Sequence, residues 1–280
     1  MATFTNQASL SYNGQTVNSN IAVGEILDPL TVRKSSLVNT YSIGEDTTYV
    51  VSLVNSGNNP LTGITVSDDL GQYVATGTPV TPLTYTADSL QLYSNGVLQP
   101  TPAIAQTDPL TVNGLTVPAG GNILLIYEAT PNRFASPAIN GEIDNTVTVS
   151  GGGLAETLTD VATVNAVTGP LLTITKNVSP VPVSEDGTLT YTFNIQNNGN
   201  APATADTGVV LTDTFNPVLT NLTATLNGTP LTAGQYTYTN GTFTTAPGVI
   251  TVPAATYDQQ ANGEWRTTPG VSTLVITGTV

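Results

Sequence analysis

The chain has 280 residues, 19 acidic and 5 basic, for a formal charge of −14. That balance denies a nucleic-acid partner the basic face it needs, disfavours an anionic membrane surface for the same reason, and serves solubility. With no cysteine and no histidine, disulfide frameworks, thiol chemistry, zinc sites built on those ligands and histidine triads are all excluded.

The length suits about two domains. Short alternating apolar stretches between turn residues read as all-β sandwich modules, and no helical period is found. The opening residues MATFTNQASL contain no basic region and no apolar core, so no signal peptide is expected. Either a leader was removed and Met1 is an added start, or release follows another route, such as lysis of a mother cell. The longest apolar run, Ile123 to Tyr127, is too short to span a membrane.

The first predicted element is a hairpin. Phe4, Asn6, Ala8, Leu10 and Tyr12 share one face and Thr5, Gln7, Ser9 and Ser11 the other, the alternation of a half-buried strand. After Asn13-Gly14 the chain returns through Thr16 to Val23. Strands follow at Leu30–Lys34, Thr48–Asn55 and Gly63–Asp68, with a turn at Ser56 to Pro60. Later come Ile123–Tyr127, Ile143–Ser150, a turn at Gly151 to Gly153, and a return strand from Thr157 to Val164.

The pattern then repeats. Leu172–Lys176 matches Leu30–Lys34, so that the chain's two lysines are equivalent. Tyr191, Asn197, Gly199 and Pro202 match Tyr49, Asn55, Gly57 and Pro60. Gly208–Asp213 matches Gly63–Asp68 after a longer loop, and Thr273–Thr277 matches Ile123–Tyr127. The second copy reaches Val280 without an Asn-Thr-Val-Thr-Val strand. A spare one stands at the start, where Phe4–Tyr12 aligns with Ile143–Gly151 and Thr16–Val23 with Thr157–Val164. The expected domains are an N-terminal donor-strand hairpin (1–24), a first β-sandwich (25–167, completed by strand 143–150) and a second (168–280). The second lacks its last strand and takes the N-terminal strand of a neighbouring subunit.

The runs Leu-Thr-Ile-Thr-Lys, Leu-Thr-Tyr-Thr followed by Asn-Asn-Gly, Val-Leu-Thr-Asp-Thr and Asn-Thr-Val-Thr-Val resemble the bacterial surface-protein repeat known as "domain of unknown function eleven". That resemblance covers nearly the whole chain. It implies two tandem immunoglobulin-like sandwiches on an extracellular bacterial cell or spore surface, and no activity.

An open sandwich edge recruits a strand or aggregates. Strand addition supplies ladder hydrogen bonds and pockets for alternate side chains. Burying three large donor side chains yields roughly 4–9 kcal/mol, against an association cost of about 4–15 kcal/mol, so ladder hydrogen bonds have to contribute. A contact between different surfaces of identical chains that does not close into a ring gives a filament. The expected function is therefore a structural filament subunit whose partner is itself, without membrane insertion; tip and anchor proteins are not specified. The alternative is a stalk fragment of a longer adhesin, a binding or spacer module whose missing strand lies beyond Val280.

Strand parity also turns polar groups inward: Lys34 with Leu30 and Val32, Asp68 with Ile64 and Val66, Asn145 with Ile143 and Val147. In the second copy the set is Lys176, Asp213 and, from the donor strand, Asn6. Burial lowers a lysine pKa and raises that of an aspartate. A neutral amine is a nucleophile and a protonated carboxyl a general acid. Attack on the Asn amide would release ammonia and leave a Lys–Asn isopeptide bond, a chemistry resembling that of self-crosslinking sandwich domains in Gram-positive pili and adhesins. Two other readings fit the same residues: a buried ion pair with Asn as a hydrogen-bond partner, fixing strand register, or lysines snorkelling at a sheet edge. Asp69 and Glu128 are alternative acids, but Asp68 alone is repeated, Glu128 aligning with Gly278.

The remaining signals are weaker. Asp68-Asp69 and Glu185-Asp186 lack the spacing of a calcium loop. The glycosylation patterns at Asn177, Asn221, Asn227 and Asn240 are expected by chance in a chain of this composition. Trp265, expected in a polar loop, either meets a sugar or packs locally. No metal, cofactor or enzymatic constellation is expected beyond autocatalytic bond formation.

Overall fold

The computed structural model describes residues 2–26 and 29–280. It is almost wholly β-stranded, the described exception being a short 3-10 turn at Ala205–Thr207. Two compact units divide the chain. One takes the residues up to Ala135 together with Glu142–Asn165, the other Ser136–Gly141 together with Ala166–Val280.

Unit 1 holds two six-stranded sheets. In one, the lysine strand Leu30–Ser36 pairs with Thr47–Asn55, which pairs with the tyrosine strand Asn122–Pro131. In the other, the aspartate strand Leu61–Asp68 lies between Leu110–Val117 and the asparagine strand Glu142–Gly151. The return strand Leu158–Ala166 follows and is itself flanked by Thr40–Tyr41. Each long strand alternates as its sequence does. Leu53, Ile64, Ile123, Leu125, Val147 and Val149 are fully buried from the two sheets, the expected outcome of a period-two pattern with one apolar face.

A repeated asparagine fastens the turn after the second long strand. Asn55, buried completely, donates to the carbonyls of Asn59, Val117 and Pro118 and accepts the Gly57 N–H. In unit 2 Asn197 donates to Ala201 and Pro253 and accepts from Gly199 and Leu171.

Unit 2 has a five-stranded sheet in which Leu172–Ser179, Thr188–Asn197, Gly270–Thr279 and Thr220–Leu226 are successive neighbours. Its core gathers Phe193, Ile195, Leu211, Phe215, Phe243, Ile250, Leu274 and Ile276. The opposing sheet is reduced. The expected strand Gly208–Asp213 shortens to Thr212–Thr214, which pairs, among the described residues, with Thr242–Thr245. The matching strand in unit 1 has ladder partners on both sides, whereas residues 208–211 are not in ladder pairing on either.

The structure also moves the alignment of the late strands by one residue. Tyr49 pairs with Tyr127, and its equivalent Tyr191 pairs with Ile276. The counterpart of Tyr127 is therefore Ile276, not Thr277, and that of Glu128 is Thr277, not Gly278. Apolar runs without an intervening polar residue carry no parity, so the slip was invisible in the sequence.

The N-terminal hairpin is formed by Ala2–Asn6 with Ala22–Ile26 and Ser9–Tyr12 with Gln15–Asn18. Its register changes by one residue between these pairs, and the extra residue lies in the return strand at Ser19 to Ile21, so alternation along the first strand survives. The Phe4 ring covers Gly24 opposite it, as aromatic residues do over cross-strand glycines. The hairpin is otherwise bare: Phe4, Leu10, Tyr12, Val17, Ile21 and Val23 are all exposed.

Candidate functional site: a buried Lys–Asp–Tyr–Asn chain and an open groove

In unit 1, Lys34, Asp68 and Asn145 are brought together from three strands and two sheets. The Lys34 side chain is fully buried, and its Nζ donates to Asp68 Oδ2 at 2.5 Å. The same oxygen accepts the Tyr127 hydroxyl at 2.6 Å. Asn145, with no exposed surface, donates through Nδ2 to the Tyr127 oxygen at 3.2 Å. Asp68 Oδ1 accepts the Leu70 N–H. Among the described residues, Asn145 Oδ1 and the Tyr49 hydroxyl are buried with no partner in hydrogen-bonding geometry. Nearby, the Lys34 N–H is bound at 2.6 Å by Asp160 Oδ2, which ties the return strand to the lysine strand across the side of the sandwich.

Burial pushes the Lys34 amine down from its usual 10.5 to about 8, although Asp68 opposes the shift. Roughly one amine in ten is then neutral at pH 7. Burial raises the phenol of Tyr127 well above its ordinary value, and the Asp68 charge adds to the effect. The Tyr49 phenol is raised for the same two reasons. Both rings stay neutral and available as hydroxyl donors.

Tyr127 and Asp160 were not singled out in the sequence. Tyr127 shares the inward face of Ile123 and Leu125, which was the available signal. Asp69, considered as an alternative acid, instead accepts the N–H groups of Gly71 and Thr146. Trp265 opens the strand Trp265–Thr268 rather than lying in a loop, and its indole nitrogen is buried.

In unit 2, Lys176 Nζ meets Asp213 Oδ2 at 2.5 Å, but the lysine side chain is 40% exposed and the aspartate 18%. The ammonium lies over the rings of Tyr191, Phe193 and Phe215, nearest Tyr191 at 4.7 Å, a favourable placement for a cation. Asn6, the third member expected for this set, is an exposed residue of the N-terminal hairpin, paired with Ala22.

Beside this pair is a groove of about 330 Å³, lined by Leu172, Ile174, Ile195, Val209, Leu211 and Ile250 among others. The equivalents in unit 1 of five of these are Leu30, Val32, Leu53, Ile64 and Val66; the last two pair edge to edge with the asparagine strand, and four of the five are buried. In unit 2, Ile174 is 55% exposed, and no residue of Leu172–Ser179 is buried.

No family model and no curated protein matches the chain, so the surface-protein repeat stands on its motifs alone. Solved structures give distant likenesses. The major pilin subunit BcpA of Bacillus cereus is 9% identical, with 96% of this chain and 73% of that one covered at a TM-score of 0.36. For the full-length major pilin SpaD of Corynebacterium diphtheriae the figures are 13%, 86%, 59% and 0.36. A family 123 glycoside hydrolase of Clostridium perfringens is also 13% identical, with 50% of this chain and 27% of that one covered at 0.33. Matches this distant say nothing about function.

Proposed function

We propose that this chain is a structural subunit of an extracellular bacterial filament, joined head to tail by docking the N-terminal hairpin of one copy into unit 2 of the next. The observation that carries the reading is the difference between equivalent residues: those lining the groove in unit 2 are mostly buried in unit 1, which has a strand whose sequence the hairpin repeats. Val147 opposes Asp68 and Val149 opposes Val66 in unit 1. By the same register, Ala8 opposes Asp213 and Leu10 opposes Leu211.

Taking unit 1 as the template supports a narrower donor than the sequence pattern does. Ala162 and Val164 of the return strand are buried in unit 1, opposite Asn145 and Ile143. Opposite Asn6 and Phe4 the hairpin has Ala22 and Gly24, one residue later than the sequence alignment of Thr16–Val23 with Thr157–Val164 places them, so these are the residues through which its second strand contributes. Tyr12 has no template. Its counterpart Gly151 has φ +82°, and a Cβ there would come within 2.4 Å of the Gly63 carbonyl oxygen. The copied stretch therefore runs from Phe4 to Leu10.

Docking places Asn6 opposite Lys176 and Asp213 as Asn145 stands to Lys34 and Asp68. We assign an isopeptide bond to each set, Lys34–Asn145 within a subunit and Lys176–Asn6 between subunits. Covalent closure would supply the durability that a chain without disulfides lacks.

Electron microscopy of the full chain beside a version lacking residues 2–12 tests the assembly. Filaments from the full chain alone support it. Monomers from both overturn it and favour a stalk module whose groove is filled by a strand from a longer chain.

A further inference from the structure

The geometry points to Tyr127 as a catalytic residue of the Lys34–Asn145 bond, carrying a proton from Asp68 to the nitrogen that leaves. This rests on the isopeptide reading above. Among the described residues no hydrogen bond joins Asp68 to Asn145 directly. The two are linked through one hydroxyl, 2.6 Å from Asp68 Oδ2 and 3.2 Å from Asn145 Nδ2. The acid, the relay and the leaving nitrogen are all buried, so solvent does not compete for the proton.

The step balances as follows. The Lys34 ammonium gives one proton to Asp68, and the free amine attacks Asn145 Cγ, moving the carbonyl pair onto Oδ1. As the carbonyl reforms, the Cγ–Nδ2 bond breaks. Nδ2 takes the Tyr127 hydroxyl proton while the Tyr127 oxygen takes the proton held by Asp68. The second proton, released from Nζ after attack, passes to the regenerated Asp68 carboxylate and leaves with ammonia as ammonium. The product is a secondary amide, and both Tyr127 and Asp68 end as they began. A positioned proton donor of this kind contributes about 10²–10⁴ in rate.

Unit 2 supplies an internal contrast. Ile276 occupies the place of Tyr127, so Asp213 has no hydroxyl there through which to reach an incoming Asn6. The bond between subunits therefore forms more slowly than the bond within one.

The test uses the full chain, recovered unreacted in denaturant and refolded by dilution, with intact mass followed over time and the linked peptides mapped. Wild type should lose the mass of one ammonia, with Lys34 joined to Asn145. Tyr127→Phe keeps the ring and should lose it about 100-fold more slowly. Equal rates in wild type and Tyr127→Phe overturn the relay while leaving the isopeptide reading intact. No ammonia loss in wild type overturns both. Should Tyr127→Phe not fold, wild-type rates in mixtures of light and heavy water decide. A concerted two-proton relay bends the dependence on deuterium fraction, and a straight line refutes it.

Discussion

Leu10→Ala is the sharpest perturbation of the proposed contact between subunits. Leu10 is 65% exposed in the free hairpin, and its template Val149 is fully buried. Full burial of a leucine is worth about 1.5–3 kcal/mol, so covering the exposed part contributes about 1–2 kcal/mol, and an unfilled pocket adds to the loss. A loss of about 2 kcal/mol is roughly a 30-fold change in an equilibrium constant. The residue contributes nothing to the isolated subunit's core, so monomer stability should not change. The critical concentration for polymerisation, read by light scattering and pelleting, should rise roughly 30-fold. Lys176→Met in both chains keeps the covalent bond between subunits from masking the equilibrium. An unchanged critical concentration would falsify the assignment of Leu10 to the Leu211 position.

Four further outcomes are expected. In an Asn145→Ala chain, where Lys34 stays a free amine, Asp68→Asn leaves a buried ammonium without its counter-ion and should destabilise unit 1 by about 3–5 kcal/mol, whereas Asp213→Asn, at the exposed pair, should cost unit 2 at most about 1 kcal/mol. Urea titrations can separate the units, because the single tryptophan, Trp265, lies in unit 2, and hydrogen exchange follows unit 1. Asn55→Ala strands three carbonyls and one N–H and should cost about 2–4 kcal/mol; a cost below 1 kcal/mol in the same titration would refute its role as a latch. In an Asn145→Ala chain, where no bond forms, stability should be flat in Lys34 up to about pH 8 and then rise, since between about 8 and 10.5 the unfolded chain binds the proton that the folded one has released. Above pH 10 the trend should reverse, because Tyr41, Tyr49 and Tyr127 keep protons that the unfolded chain gives up. Denaturation midpoints falling steadily from pH 7 to 10 would contradict the buried amine.

Much of this molecule was legible in its sequence, because strands write themselves in period two. The alternation of Phe4 to Leu10, the inward parity of Lys34, Asp68 and Asn145, and the equivalence of the two lysines all follow from a side chain's facing one side of a sheet or the other. Such a pattern fixes a face but not a neighbour. That Tyr127 bridges Asp68 to Asn145, and that Asp160 reaches the lysine's own N–H, depend on which strands oppose one another across the sandwich. Register inside an apolar run was equally hidden: only pairing makes Ile276 the counterpart of Tyr127. The same holds for burial, for Lys34 and Lys176 stand in matching strands, yet one is sealed and the other open. The sequence determined the strands and the polar residues they turn inward. The tertiary structure decided which of those residues are shut away from water, because that depends on whether another strand lies on top.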